Sequence, residues 1–171
     1  MEKVILVDEN DQPVGTLEKL VAHQQGRLHR AVSGFVINNK KELLLQQRAL
    51  TKYHSPGIWS NTVCSHPREN EPVLQAVSRR LLEEMGMVSM FEEVGTLIYR
   101  ADFNNGLIEN EYDHIFVAKY QGQTINPNIN EVQAYCWMNR ATLEGEIKQH
   151  LERFSPWMQL IIKADYMNKY F

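Results

Sequence analysis

Cysteine, long apolar runs and an excess of one charge are all scarce in this sequence of 171 residues. Its two cysteines lie far apart in the chain and do not make a disulfide framework, so we expect a reducing compartment. The N-terminal apolar run is far too short for a signal peptide, and no run approaches the roughly 20 residues that span a bilayer. These absences predict a cytoplasmic protein with no membrane partner.

The charge balance argues against nucleic acid as a partner. The net charge is −3 with both signs interspersed, so the sequence has no basic stripe that would neutralise a phosphate backbone. Any anionic ligand must therefore be held by a local site. Hydrophobic residues make up 43% and charged residues 23%, which is typical of a globular protein, and the length fits one domain. We expect a single domain over residues 1–171.

The spacing of apolar residues and the positions of turn-forming residues together predict an α/β sandwich around a mixed sheet. Strands are expected at residues 4–7, 31–37, 42–47, 91–100, 112–120 and 132–138. The turn at 38–40 predicts a hairpin, and Asn104, Asn105 and Gly106 form a second turn signal. Residues 53–67 carry too many turn formers for regular structure and are expected to be a loop.

Helices are predicted in the middle and at the end of the chain. Apolar residues recur at helical spacing over 71–85, with Pro72 tolerable in the first turn and Gly86 as the stop. Two more helices are expected at 141–154 and 156–169, broken at Pro156 because proline disfavours helix in the residue before it.

Three histidines and two glutamates are candidate metal ligands. His23, His29 and His66 lie in polar or turn-rich surroundings, and Glu109 and Glu111 would share one face of a strand. Two adjacent carboxylates call for a cation between them, and imidazoles with carboxylates suit Mn²⁺ or Zn²⁺ better than Mg²⁺. On spacing alone this evidence is weak, and solvated surface groups are the favoured interpretation.

The two cysteines differ in their surroundings. Cys64 precedes His66 by two residues and has no partner cysteine nearby, so a functional thiol and a small buried hydrophobe are both open. Cys136 lies inside an expected strand and is predicted to be part of the core.

The charged residues of the central helix follow a known spacing. Arg80 and Glu84 form an i, i+4 pair, which by itself indicates no more than a solvated helix face. The spacing nevertheless fits the Nudix box, Gly-x5-Glu-x7-Arg-Glu-U-x-Glu-Glu-x-Gly-U with U aliphatic. The matching residues are Glu71, Arg79, Leu81, Glu83, Glu84, Gly86 and Met87. Two positions differ: Ser65 replaces the first glycine and Arg80 replaces a glutamate.

The chain resembles the type I isopentenyl diphosphate isomerases, a family with the Nudix fold, from residue 4 to about residue 157. The segments that carry the resemblance are GTLEK at 15–19, RLH at 27–29, QRALTK at 47–52, PGIWSNTVCSHP at 56–67, YRA at 99–101, ENE at 109–111 and FSPWM at 154–158. Residues 52–55 depart from the bacterial members, in an expected loop where changes are tolerated.

The resemblance implies an isomerase that interconverts isopentenyl and dimethylallyl diphosphate by protonation and deprotonation. It implies Cys64 and Glu111 as the proton-transfer pair and Glu84 as a ligand of a Mg²⁺ ion that bridges to the diphosphate. It implies a metal site of three histidines and two glutamates, for which the donor types favour Mn²⁺ or Zn²⁺: His23, His29, His66, Glu109 and Glu111. The implied diphosphate contacts are Lys19, Arg48, Lys52 and Arg80.

The resemblance also places the face of Trp157 against the cationic centre, whereas a core aromatic is the plain alternative. Two other functions stay open. One is a Nudix hydrolase of a nucleoside diphosphate derivative, which would normally need the glutamate that Arg80 replaces. The other is a non-catalytic module that binds a metal or a diphosphate on the same fold.

Overall fold

A computed structural model describes residues 2–52, 55–103 and 105–171. Within these ranges nine strands form one sheet: β1 (Lys3–Val7), β2 (Pro13–Glu18), β3 (His29–Ile37), β4 (Glu42–Arg48), β5 (Trp59–Ser60), β6 (Val63–Ser65), β7 (Phe91–Asp102), β8 (Ile108–Lys119) and β9 (Val132–Asn139). The α-helices of the same ranges are α1 (Lys19–Gln25), α2 (Val73–Met85), α3 (Arg140–Gln149) and α4 (Pro156–Lys163). None of the helices described is long and apolar enough to cross a bilayer.

The sheet is covered by helices on both faces, which confirms the expected α/β sandwich around a mixed sheet. Alternate residues of β3 divide between two cores, because successive side chains of a strand point to opposite faces. Phe35 packs with Trp157 and Ile161 of α4, whereas Val36 packs with Val77 and Leu81 of α2. Strands β3 and β8 run parallel, and the other strand pairs are antiparallel.

The expected hairpin at 38–40 forms, but its strands diverge after one pair, Ile37 with Leu43. The gap between them is filled by the segment that carries β5 and β6, with β5 pairing to β4 and β6 pairing to β3. The expectation that residues 53–67 lack regular structure was therefore wrong for Trp59–Ser60 and Val63–Ser65. Strands of two or three residues are too short to show an alternation of apolar and polar residues. They form because the diverging strands β3 and β4 each offer an edge with which they can pair.

Helix α2 agrees closely with the prediction for 71–85. It begins at Val73 after Pro72 and ends at Met85, and the capping residue Gly86 that follows has a φ of 63°. A Cβ atom at Gly86 would lie 2.2 Å from the Asn126 carbonyl oxygen, so only glycine fits this C-terminal position.

The two C-terminal helices were predicted too long. Helix α3 ends at Gln149 and is followed by a 3₁₀ turn, Leu151–Arg153, while α4 ends at Lys163. Strand β1 confirms the expected strand at 4–7, whereas α1 and β2, and so the β1–β2 hairpin, were not predicted, since the apolar period of these short elements is weak. Asn104 of the second turn signal, and Tyr53 and His54 of the segment that departs from the bacterial members, lie outside the described residues.

Candidate active site

The register between β3 and β8 gathers the candidate metal ligands at one end of the sheet. The two strands are parallel and begin at the same edge, so His29 pairs directly with Glu111. Strand β6 runs antiparallel beside β3 and delivers His66 to the same edge, while α1 supplies His23. His23, His29, His66 and Glu111 each offer a ligand atom, and these atoms all lie within 4.8 Å of one another.

Backbone carbonyls orient two of the imidazoles towards this cluster. Nδ1 of His23 lies 2.7 Å from the Lys19 carbonyl oxygen, and Nδ1 of His29 lies 2.7 Å from that of Arg27. A carbonyl only accepts, so in each neutral ring Nδ1 donates and Nε2 keeps a lone pair for a metal. Burial lowers the pKa of His23, and it lowers that of His66 to about 3. Neutral imidazoles are the form that binds a metal, so this donor set fits a divalent ion.

Glu109 and Glu111 lie on one face of β8, as the sequence predicted, and both are buried. Glu109 Oε1 is 3.9 Å from His23 Nε2, at the edge of the cluster. The Tyr99 hydroxyl lies 2.9 Å from Glu109 and 2.5 Å from Glu111. Burial and then the Glu111 charge raise the pKa of Glu109 well above its usual range. Burial also opposes charge on Glu111, but its contacts with His29 and His66 outweigh it and hold this pKa well below the usual range.

Cys64 lies in β6, opposite Ser33 of β3, and lines the same cavity as Glu109 and Glu111. Burial, followed by the charges of Glu111 and Asp113, raises the pKa of the Cys64 thiol well above its usual range. The thiol therefore keeps its proton. Cys64 also packs against the core on the α4 side of the sheet, so it is both a partly buried hydrophobe and a lining residue of the cavity.

Cys136 is half-buried rather than fully enclosed and packs against the core on the α4 side of the sheet. It is not among the residues that line the cavity of Cys64. The expectation of a core cysteine is thus met in its packing, although one side of the residue stays accessible.

Trp157 closes one side of the cavity and is fully buried. Its indole Nε1 donates to Ser60 Oγ and to Asn61 Oδ1, both at 3.1 Å. The Arg48 guanidinium lies 5.9 Å from the ring centroid. The indole is therefore held in one orientation and is both a core aromatic and a wall of the cavity.

The four candidate diphosphate contacts, Lys19, Arg48, Lys52 and Arg80, line this cavity together with Glu84. Arg80 Nη2 lies 2.7 Å from Glu84 Oε1, which confirms the expected i, i+4 pair. Glu84 is buried and also accepts a hydrogen bond from Gln46 Nε2 at 2.7 Å. It belongs to the cavity but not to the histidine cluster.

Two further residues of the Nudix box act as a structural pair. Arg79 donates to both Glu71 carboxylate oxygens, at 2.6 Å and 2.8 Å. Arg79 also lies 3.0 Å from Glu83, so it links the segment just before α2 to the second half of the helix.

Sequence reasoning missed three polar residues of the site. Tyr99 lies in the matching segment at 99–101, for which the sequence indicated no separate role, yet it contacts both Glu109 and Glu111 of β8. Asp113 continues the face of Glu109 and Glu111, is buried, and accepts from Ser33 Oγ at 2.6 Å. Glu131 contacts Lys52 and Arg80. The strand period could have identified Asp113, whereas the contacts of Glu131 join distant parts of the chain and leave no local pattern.

Solved structures of other proteins share the fold described above. DR0079 from Deinococcus radiodurans superimposes with a TM-score of 0.79 over 95% of this chain and 98% of its own, at 19% identity. A MutT protein from Methanosarcina mazei superimposes with a TM-score of 0.58 over 83% of this chain and 94% of its own, at 16% identity. At these identities the likeness concerns the fold alone.

The relatives found by sequence comparison are more similar to this chain than these two solved structures are. The family model of the NUDIX domain matches residues 27–158. An isopentenyl-diphosphate Delta-isomerase of Burkholderia multivorans is 48% identical over 95% of this chain and 92% of its own length. An isopentenyl-diphosphate Delta-isomerase 1 of Aromatoleum aromaticum is 44% identical over 94% and 90%, respectively. This chain has the Nudix fold and belongs to the isopentenyl-diphosphate Delta-isomerase family.

Proposed function

We propose that this chain interconverts isopentenyl and dimethylallyl diphosphate with Cys64 and Glu111 as its proton-transfer groups. The observation that carries the assignment is that a thiol and a buried carboxylate line one cavity whose wall is an indole, where burial raises the pKa of the thiol. An isolated double bond is a very poor base, so an acid must be held against it and water kept away.

The reaction moves one proton in and one proton out. One group of the pair adds a proton to the terminal carbon of the double bond, which leaves a tertiary cation at the next carbon. The other group removes a proton from the carbon beside it, and the double bond re-forms in the new position. The two roles exchange when the direction reverses. Trp157, fixed by Ser60 and Asn61, would present its ring to the cation, a contact worth roughly 2 kcal/mol when desolvated.

The residues that would hold a transition-metal ion are His23, His29, His66 and Glu111, with Glu109 beside them. We propose Mn²⁺ or Zn²⁺ here, because three imidazoles favour these ions over Mg²⁺. When bound, such an ion supplies positive charge that orients Glu111 and lowers its proton affinity. Tyr99 supports the same carboxylates from the other side.

Lys19, Arg48, Lys52 and Arg80 would bind the diphosphate, and Glu84 would help to hold a Mg²⁺ ion against it. Binding energy gained at the diphosphate can position a hydrocarbon that offers no polar handle of its own. Phe171 packs in the same core as Phe35, and β1 joins the same sheet by pairing with β3 at Leu6 and His29. We therefore propose one domain over residues 1–171, acting in the cytoplasm on a small-molecule diphosphate.

Turnover in heavy water tests the proposal. Metal-reconstituted protein should convert isopentenyl to dimethylallyl diphosphate and incorporate deuterium, without releasing phosphate. Phosphate release from nucleoside diphosphate derivatives, without isomerisation, would instead support hydrolysis. The ion-paired Arg80 at the box position of a glutamate argues against that outcome.

A further inference from the structure

Glu131 joins two of the cations that the proposed function assigns to the diphosphate. Its Oε2 atom accepts hydrogen bonds from Lys52 Nζ and from Arg80 Nη2, the latter at 3.0 Å. All three side chains line the cavity that holds Cys64. The carboxylate therefore stands where a diphosphate would have to bind these cations.

The backbone fixes the position of Glu131 independently of its charge. Its carbonyl oxygen accepts from the Ala49 amide at 3.0 Å, and its amide donates to the Asn128 carbonyl at 2.8 Å. The Asn128 amide in turn donates to the carbonyl of Glu84 in α2 at 2.9 Å. These bonds tie the start of β9 to the loop of Lys52 and to α2, so a change of side-chain charge leaves the junction in place.

Arg80 is neutralised by carboxylates in the structure as it stands. Its nearest acidic oxygens belong to Glu84 at 2.7 Å, Glu83 at 2.9 Å and Glu131 at 3.0 Å. A diphosphate that enters the cavity must take over hydrogen bonds that these carboxylates now accept. Otherwise it lies beside them and meets like-charge repulsion.

We propose that Glu131 is a resident counter-anion that holds Lys52 and Arg80 until the substrate's diphosphate displaces it. The inference rests on the proposed function, which assigns these two cations to the diphosphate. Substrate and product carry the same diphosphate, so binding this group too tightly would retain both without favouring the transition state. A competing carboxylate limits that affinity, and it keeps two neighbouring cations from repelling each other in the free enzyme.

The test is equilibrium binding of inorganic pyrophosphate, with Mg²⁺, to metal-reconstituted wild type and Glu131→Gln. The amide keeps the shape and the backbone bonds but cannot neutralise the cations. We expect pyrophosphate to bind at least about threefold more tightly, with a parallel fall in KM for isopentenyl diphosphate. The ligand-free variant should unfold at a lower temperature, because Lys52 would lose the Glu131 carboxylate and Arg80 would lose one of its three. Glu146→Gln is the matched control, since Glu146 pairs with Arg153 at 3.6 Å on the surface.

If Glu131 merely oriented the two cations, its replacement should not tighten pyrophosphate binding. Unchanged or weaker pyrophosphate binding by folded Glu131→Gln would overturn the proposal, as would a wild type that binds no pyrophosphate. Glu131→Asp serves if the glutamine variant does not fold: withdrawing the charge by one methylene should tighten binding slightly, and weaker binding would overturn the proposal. If wild type binds pyrophosphate but does not isomerise isopentenyl diphosphate, the proposed function fails while the question about Glu131 is still answered.

Discussion

The Nε2 atoms of His29 and His66 face each other at 3.2 Å inside the protein, and His66 Nε2 is 2.9 Å from Glu111. Such convergence of buried imidazole nitrogens on a carboxylate suits a bound cation. We expect about one transition-metal ion per chain after reconstitution, and a large loss of that ion in His66→Ala. Elemental analysis decides this, with His150→Ala, a half-exposed histidine outside the cluster, as control. Equal metal content in wild type and His66→Ala would remove His66 from the site.

Cys64→Ser should reduce turnover by about 10²- to 10⁴-fold, the usual contribution of general acid-base catalysis. The hydroxyl nearly preserves volume but hardly ionises, so metal content and folding should change little. Isomerisation and deuterium exchange are measured in parallel. Cys136→Ser is the matched control, because Cys136 lies outside the cavity and its replacement should leave turnover near normal. Near wild-type exchange by Cys64→Ser would end the assignment.

Arg80→Glu restores the box glutamate and should weaken diphosphate binding, since a cation is exchanged for an anion among Glu83, Glu84 and Glu131. We expect KM for isopentenyl diphosphate to rise and kcat/KM to fall at least about tenfold. Arg80→Gln, which adds no repulsion, should show a smaller change of the same sign. Thermal unfolding checks that both variants are folded. Unchanged KM and kcat/KM would make Arg80 a structural residue.

Trp157→Phe keeps an aromatic ring but removes the indole Nε1–H group, which donates hydrogen bonds to Ser60 and Asn61. Leaving these buried acceptors without it should cost about 1–3 kcal/mol of stability. If the indole faces the cationic centre, kcat should fall more than KM changes, because indole is the strongest cation-π partner. Trp137→Phe is the control, since Trp137 packs beside Tyr120 on the α2 side of the sheet. Loss of stability with unchanged kcat would leave Trp157 a core residue only.

Glu71→Gln should lower stability at neutral pH by about 1 kcal/mol, through loss of the bidentate Arg79 pair. Hydrogen bonds from Arg79 lower the pKa of Glu71 in the folded protein. A carboxylate with a depressed folded pKa stabilises above its unfolded pKa and loses that contribution as pH falls through the folded value. The difference from wild type in urea unfolding should therefore be full at pH 7 and shrink in acid, below roughly pH 4.

Glu144→Gln is the control for this measurement, because Glu144 makes a more exposed pair with Arg140 and should contribute little at any pH. A difference between wild type and Glu71→Gln that did not shrink in acid would show that the Arg79 pair is not its source.

The sequence by itself determined the elements that are long enough to show a helical or strand periodicity. Helix α2 and the shared face of Glu109 and Glu111 follow from local spacing, since helical and strand periods fix which side chains point together. The family and its candidate residues also follow from local segments, because the residues of each motif lie close together in the chain and their spacing can be recognised directly.

Tertiary structure alone decided which distant groups meet. The parallel register of β3 and β8 places His29 beside Glu111, and the divergence of β3 and β4 admits the segment that carries Cys64. Glu131 meets Lys52 and Arg80 only because backbone hydrogen bonds join the start of β9 to two remote segments. Such contacts depend on strand pairing across long stretches of chain, which no local pattern of residues encodes.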